Sequence, residues 1–81
     1  MITEKQIKAG RALVDWTAKD LADKSGVSLA TIQRMESAGG TDSARGENLK
    51  AVQKALEDAG IQFIPENGGG AGVRLRERAQ K

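Results

Sequence analysis

Residues 21–36 read LADKSGVSLATIQRME. Both ends of this stretch carry helical patterns, while Ser25-Gly26-Val27-Ser28 between them carries signals that stop one helix and start another. Glycine enters the left-handed backbone region without a Cβ penalty, so Gly26 is where a left-handed C-cap falls. Ser28 is placed to cap the helix that follows, because a serine oxygen accepts from the unpaired amides of a first turn. The stretch reads as a short helix from about Ala18 to Lys24, a turn of about four residues and a second short helix from about Leu29 to Ser37. Leu21 and Ala22 face inward on the first. On the second, Ile32 and Met35 share a face, with Leu29 on it or close to it. Two short helices joined by a tight glycine-containing turn make a helix-turn-helix unit, in which the first braces the second at a steep angle. The second then projects its N-terminus and outer face, in dimensions that enter the major groove of B-form DNA.

Working outward, Thr3-Glu4-Lys5-Gln6 is the Thr-x-x-Gln form of a capping box. Ile7, Arg11 and Val14 then recur on one helical face. Gly10 costs that helix about 1 kcal/mol against alanine, and either lets another element come close or is neutral. Trp16-Thr17 marks a boundary, and Thr17 with Asp20 three residues on is a second N-terminal signal. Residues 38–46 are loop by composition. A fourth helix runs from about Glu47 to Ala59 on the stripe Leu49, Val52 and Leu56, with Gly60 as its stop. Residues 61–64 and 73–76 then alternate like strands around a glycine-rich connection at 65–72, which predicts a hairpin. The fold class is therefore mainly α: a four-helix helix-turn-helix domain (1–60) followed by a short C-terminal β-hairpin (61–76) in the same domain, with 77–81 as a frayed tail.

Composition narrows the function. The chain has 81 residues, no cysteine and no histidine. One small domain is all that such a length supports, and no disulfide or thiolate metal site supplements its core. Without histidine it lacks the usual general base and the commonest metal ligand, so no enzymatic activity, cofactor or metal is expected. Trp16 and Phe63 are its only aromatic residues, too few for the stacking platforms of single-strand or RNA binders. The net charge of +2 permits a nucleic-acid partner without pointing to one. MITEKQIKAG at residues 1–10 lacks the apolar core of a secretory signal, and no run approaches the roughly 20 apolar residues of a membrane span. A cytoplasmic location and no membrane partner are expected.

Two features are decoys. Residues 68–72 (GGGAG) lack the Lys-Ser/Thr and the helix of a phosphate-cradling loop, and read as a flexible hairpin tip. Glu57 and Asp58 point about 100° apart on a helix and make a poor catalytic or metal pair. In the hairpin, Ile61, Phe63, Val73 and Leu75 fall on one face and Gln62, Arg74 and Arg76 on the other. Either that apolar face packs on the helices, or the open edges pair with a second copy.

From Ile7 to Leu56 the chain resembles the Cro and phage-repressor-like helix-turn-helix regulators, the xenobiotic-response-element type. Residues 47–76, with ALEDAGIQFIPENGGGAGVRLR at their heart, resemble a narrower group of small bacterial regulators in which a hairpin follows the last helix. The resemblance implies a structural ion pair between Arg11 and Glu36; each also stands on an otherwise inward face, where an unpaired charge is costly. It implies base contacts from Ser28, Leu29, Ala30, Thr31, Gln33 and Arg34. Among these, Arg34 suits guanine, Gln33 suits adenine, and Ala30 or the Thr31 methyl suits a thymine methyl. Leu29 and Ala30 depart from the amide side chains of many relatives, which shifts weight to Arg34, methyl contacts and DNA shape. Phosphate contacts are implied for Thr17, the Ala18 amide, Lys19, Ser37, Thr41 and Arg45, of which Lys19 and Arg45 serve equally well as ordinary surface cations. Regulators of this type act as two-fold dimers with reading helices about 34 Å apart. A homodimer is therefore expected, with the hairpin and the fourth helix as its interface and Ile61, Phe63, Ile64, Val73 and Leu75 among the contacting residues.

The expected function is sequence-specific binding of double-stranded DNA by a small bacterial transcriptional regulator, with no sensor segment or small-molecule effector evident in these residues. The alternative is a protein-interaction adaptor or antitoxin-like partner built on the same scaffold.

Overall fold

In a computed structural model of the protein, which describes residues 2–76, each of the first three helices begins on a hydroxyl side chain. Thr3 opens α1 (Glu4–Leu13) with a full capping box: its side chain accepts from the Gln6 amide, and Gln6 Oε1 accepts from the Thr3 amide at 2.9 Å. Thr17 opens α2 (Ala18–Ser25) with the same device, using Asp20. Ser28 opens α3 (Leu29–Met35) by accepting from the Thr31 amide at 3.2 Å. Each cap satisfies amides that the helix itself leaves without a carbonyl. α4 (Gly46–Asp58) follows the loop, and β1 (Ile61–Ile64) and β2 (Gly72–Leu75) form a two-stranded antiparallel sheet. The tail expected at 77–81 lies outside the described residues.

Element ends differ from the expected ones where tertiary contacts decide them. α1 stops at Leu13 because Asp15 turns into the left-handed region (φ 59°), which lets the Trp16 amide reach back to the Arg11 carbonyl at 2.9 Å. α2 closes on Gly26 at φ 77°, as its sequence predicts. α3 ends at Met35, two residues earlier than expected, because the following loop folds back under its last turn. There the Gly40 amide donates to the Ser37 carbonyl at 2.8 Å, and a Cβ on Gly40 would collide with the Arg34 carbonyl oxygen. β2 begins at Gly72 and ends at Leu75, one residue earlier than expected, in the register Ile61↔Leu75, Gln62↔Arg74, Phe63↔Val73 and Ile64↔Gly72.

The apolar stripes converge on one core. Ile7, Leu21, Ile32, Met35, Val52 and Leu56 are fully buried, contributed by all four helices. Burying each such side chain is worth about 1.5–3 kcal/mol, the main favourable term in a chain this short. Gly10 faces α4 and β1, where an added Cβ would sit in ordinary van der Waals contact, 3.5 Å from Leu56 and 3.7 Å from Ile61.

The hairpin pairs within the chain and is fixed to α1 by a buried glutamine. Gln6 Nε2 donates to the Ile64 carbonyl at 3.2 Å and the Gly72 carbonyl at 2.9 Å, while its oxygen serves the capping box, so every polar atom of this buried amide has a partner. Ile61 is completely buried in the core of its own chain. That corrects its expected place at a dimer interface, since a sealed side chain has nothing to offer a second copy.

Candidate nucleic-acid interface

Helix α3 is anchored at both ends. Ser28 holds its start; at its end, Glu36 receives a two-pronged ion pair from Arg11, with Nε to Oε2 at 2.7 Å and Nη2 to Oε1 at 2.8 Å. The third arm of the same guanidinium donates to the Trp16 carbonyl at 3.0 Å, tying α1, the α1–α2 link and α3 together. The Arg11 and Glu36 side chains are 20% and 10% exposed, so the pair is largely shielded from water. The hydrogen bond to Glu36 raises the Arg11 pKa against the opposing effect of burial, and the guanidinium stays charged at any ordinary pH. This geometry makes the pair a strut for α3, with three guanidinium donors and both carboxylate oxygens engaged inside the molecule.

Between these anchors α3 turns one face inward and one outward. Ile32 and Met35 are buried, whereas Ser28, Leu29, Ala30, Gln33 and Arg34 are exposed and Thr31 is half-buried. Leu29 departs from the inward face considered for it, at 38% exposure. Each three-residue step falls about 60° short of a full turn, so with Ile32 and Met35 inside, Leu29 rotates to the rim. It lines an open groove with Lys19, Ala22, Gly26 and Ser28. The six residues expected to meet bases thus form one contiguous surface running along α3.

The expected phosphate-contacting residues divide into three groups. Thr17 and Lys19 are exposed at the start of α2, and Ala18 is half-buried there with its amide in the first turn. Lys19 pairs with Asp23 at 3.2 Å, with both side chains widely exposed, so its charge is locally balanced. Thr17 bonds with Asp20, whose carboxyl is held below the usual aspartate range by the Thr17 amide first and the Thr17 side chain second. Ser37 and Arg45 are exposed on the other side of α3, where the Ser37 hydroxyl donates to the Gln33 carbonyl at 3.1 Å. Thr41 does not join either group. It is 4% exposed, drawn under the loop, and its expected role at the surface is corrected accordingly.

A cleft between α3 and the first turn of α4 was not legible in the sequence. Thr31, Arg34, Gly40, Ser43, Arg45 and Asn48 line it, so the two arginines share one opening. Neither Arg34 nor Arg45 has an acidic partner among the described residues. Arg45 is also the N-cap of α4 and offers no side-chain acceptor to the amides behind it. The cleft is electropositive from both sources. Asn48 follows Arg45 by three residues, one helical turn, and that spacing was the only signal for it.

No helix among the described residues is long and apolar enough to cross a membrane. No curated protein matches the chain. A family model described as helix-turn-helix, of the Cro/C1 type, matches residues 7–57, which runs from within α1 through nearly all of α4 and covers over half of the chain. That family consists of DNA-binding regulators and is not typically enzymatic. With its four helices, its braced α3 and this match together, the chain belongs to the Cro/C1-type helix-turn-helix family of DNA-binding regulatory proteins.

Proposed function

We propose that the protein recognises a specific double-stranded DNA sequence by laying α3 in the major groove, and that it acts as a homodimeric transcriptional regulator in the bacterial cytoplasm. The observation that carries this reading is the outward surface of α3. Its side chains at Leu29, Ala30, Gln33 and Arg34 stand clear of the core on a helix locked at both ends, which keeps their positions defined. Arg34 offers guanine a fork of N–H donors, Gln33 offers adenine an amide, and Leu29, Ala30 and the Thr31 methyl offer apolar contact to thymine. The start of α2 and the cleft holding Arg45 flank α3 and supply candidates for the two phosphate strands, with Thr17, the Ala18 amide and Lys19 on one side and Ser37 and Arg45 on the other.

Seven residues of helix present few base-reading groups, so selectivity calls for two copies on a two-fold site. With Ile61 inside the core, the surface for that contact is Phe63, Ile64, Val73 and Leu75. Leu75, at 36% exposure, is one of three large apolar side chains open to solvent among the described residues. The enclosing experiment is selection of bound sequences from a randomised duplex pool, with affinity then measured against salt. The expected result is a two-fold symmetric consensus whose log affinity falls steeply with log salt. Absence of any enriched sequence, with salt-insensitive binding to a polypeptide instead, would favour an adaptor.

A further inference from the structure

The Thr31 hydroxyl is the hub of a polar chain on the outer face of α3. Its oxygen lies 2.9 Å from Ser28 Oγ and 3.2 Å from Arg34 Nη2. Ser28 Oγ in turn accepts from the Thr31 amide at 3.2 Å, so the first hydroxyl is pinned by the N-cap itself. Residues 28, 31 and 34 follow one another at steps of three and so lie along one stripe of the helix. Thr31 is half-buried and β-branched, which stiffens its side chain, whereas Ser28 and Arg34 are exposed. A rigid, partly sheltered hydroxyl therefore holds one terminal nitrogen of a long, exposed arginine side chain.

This arrangement has two consequences for recognition. A free arginine has many rotamers and loses that freedom when it docks on a base, and one held in advance loses less. Arg34 also shares its cleft with Arg45, whose like charge would otherwise push it towards other orientations. The second consequence concerns polarity. The two hydroxyls share a single hydrogen bond, so whichever way it runs, one O–H is left to donate outward. Arg34 has spent one N–H on Thr31 and keeps the others. The stripe thus presents donors, and the base edge that presents two adjacent acceptors in the major groove is that of guanine, with O6 and N7.

We propose that Thr31 is a positioning residue that sets Arg34 for guanine, making base preference at one operator position depend on a hydroxyl that need not touch DNA. This rests on the reading of α3 as the DNA-reading helix.

The test compares the intact protein with Thr31→Val, Thr31→Ala, Thr31→Ser, Arg34→Ala and Thr31→Val/Arg34→Ala. Each is titrated with the selected duplex and with a duplex carrying adenine in place of the guanine that Arg34→Ala ceases to distinguish. The intact protein should favour guanine by about tenfold or more. Thr31→Val and Thr31→Ala should each cut that preference about fivefold, a partial loss within the range of one bidentate contact. Thr31→Ser should restore it, and Thr31→Val should change nothing further once Arg34 is alanine. Thermal unfolding of each variant separates loss of fold from loss of position, and the serine variant with two hydroxyl-free variants keeps the test decisive if one of them is unstable. Full guanine preference in both hydroxyl-free variants would overturn the inference while leaving Arg34 as a base reader. So would an equal effect of Thr31→Val with and without Arg34, since Thr31 would then act on its own. If Arg34→Ala changes affinity equally for every sequence, the base-reading role of Arg34 fails and this inference fails with it. If no duplex is bound in preference, the DNA-reading proposal itself is what has failed.

Discussion

Arg11 and Glu36, 25 residues apart in sequence, meet in a two-pronged ion pair whose hydrogen bonds are 2.7 and 2.8 Å long. The pair is a device of position more than of stability. Desolvating two charges offsets most of their attraction, but removing one partner strands the other in a poorly hydrated site. Arg11→Met is therefore expected to cost about 2–3 kcal/mol, somewhat less than for a fully buried pair because both side chains keep some exposure. The double variant Arg11→Met/Glu36→Leu should cost less than the single one. Urea unfolding reads both, and a single variant within about half a kcal/mol of the parent would show that the strut carries no load.

Gly40 lies beneath the carbonyls that end α3, where a Cβ would overlap the Arg34 oxygen and stand 2.8 Å from that of Met35. These are backbone atoms, which cannot swing aside as a side-chain end can. Gly40→Ala should destabilise the protein by about 1–3 kcal/mol. Gly46→Ala serves as the control: its Cβ meets open space at the first position of α4, and the variant should be neutral or more stable by up to about 1 kcal/mol. Equal thermal midpoints for the two would contradict the packing described for the loop.

Asp20 makes the stability depend on acid. Its folded pKa is depressed, mainly by the hydrogen bond from the Thr17 amide. A depressed carboxylate contributes stability that is present above the unfolded value, about 3.9, and is lost as pH falls through the lower folded value. Asp20→Asn should remove that part of the dependence, giving a flatter curve of stability against pH in the acid range, and should be less stable at neutral pH because the anion at the start of α2 is gone. Superimposable pH curves would contradict this role.

Arg34→Ala should weaken binding to the preferred duplex by about 1–3 kcal/mol and leave weak, sequence-blind binding nearly unchanged. Fluorescence titration on the selected duplex and on a scrambled one measures the two. Equal losses on both would assign Arg34 to phosphate.

The parts of this molecule written in adjacent residues were legible in its sequence. The two threonine caps, the Ser28 cap, the left-handed Gly26 and the Leu49–Val52–Leu56 stripe follow from chemistry confined to one or two turns, and each is present. The pairing of Arg11 with Glu36 was implied by the family resemblance, and the inward face on which each charge stands agreed with it. What was not legible depends on residues far apart in the chain. Gln6 reads as half of a capping box, and nothing near it announces that its amide also reaches carbonyls 58 and 66 positions away. Thr41 reads as loop surface by composition, yet the chain folds over it. Ile61 begins an edge strand, yet it joins the core cluster built by the four helices and is sealed within its own chain. In the candidate site, the exposed face of α3 follows from helical periodicity, whereas the cleft shared by Arg34 and Arg45 required knowing how the loop returns.

The measurement that bears most directly on the central claim is a titration of the isotope-labelled protein with the selected duplex, followed residue by residue through its amide, methyl and arginine Nε–H signals. The largest shifts are expected at the Leu29 and Ala30 methyls and the Arg34 side chain, with intermolecular contacts from these groups to protons on the major-groove edges of bases. Silent α3 signals, with the changes confined to the hairpin or to the opposite face of α4, would contradict that claim.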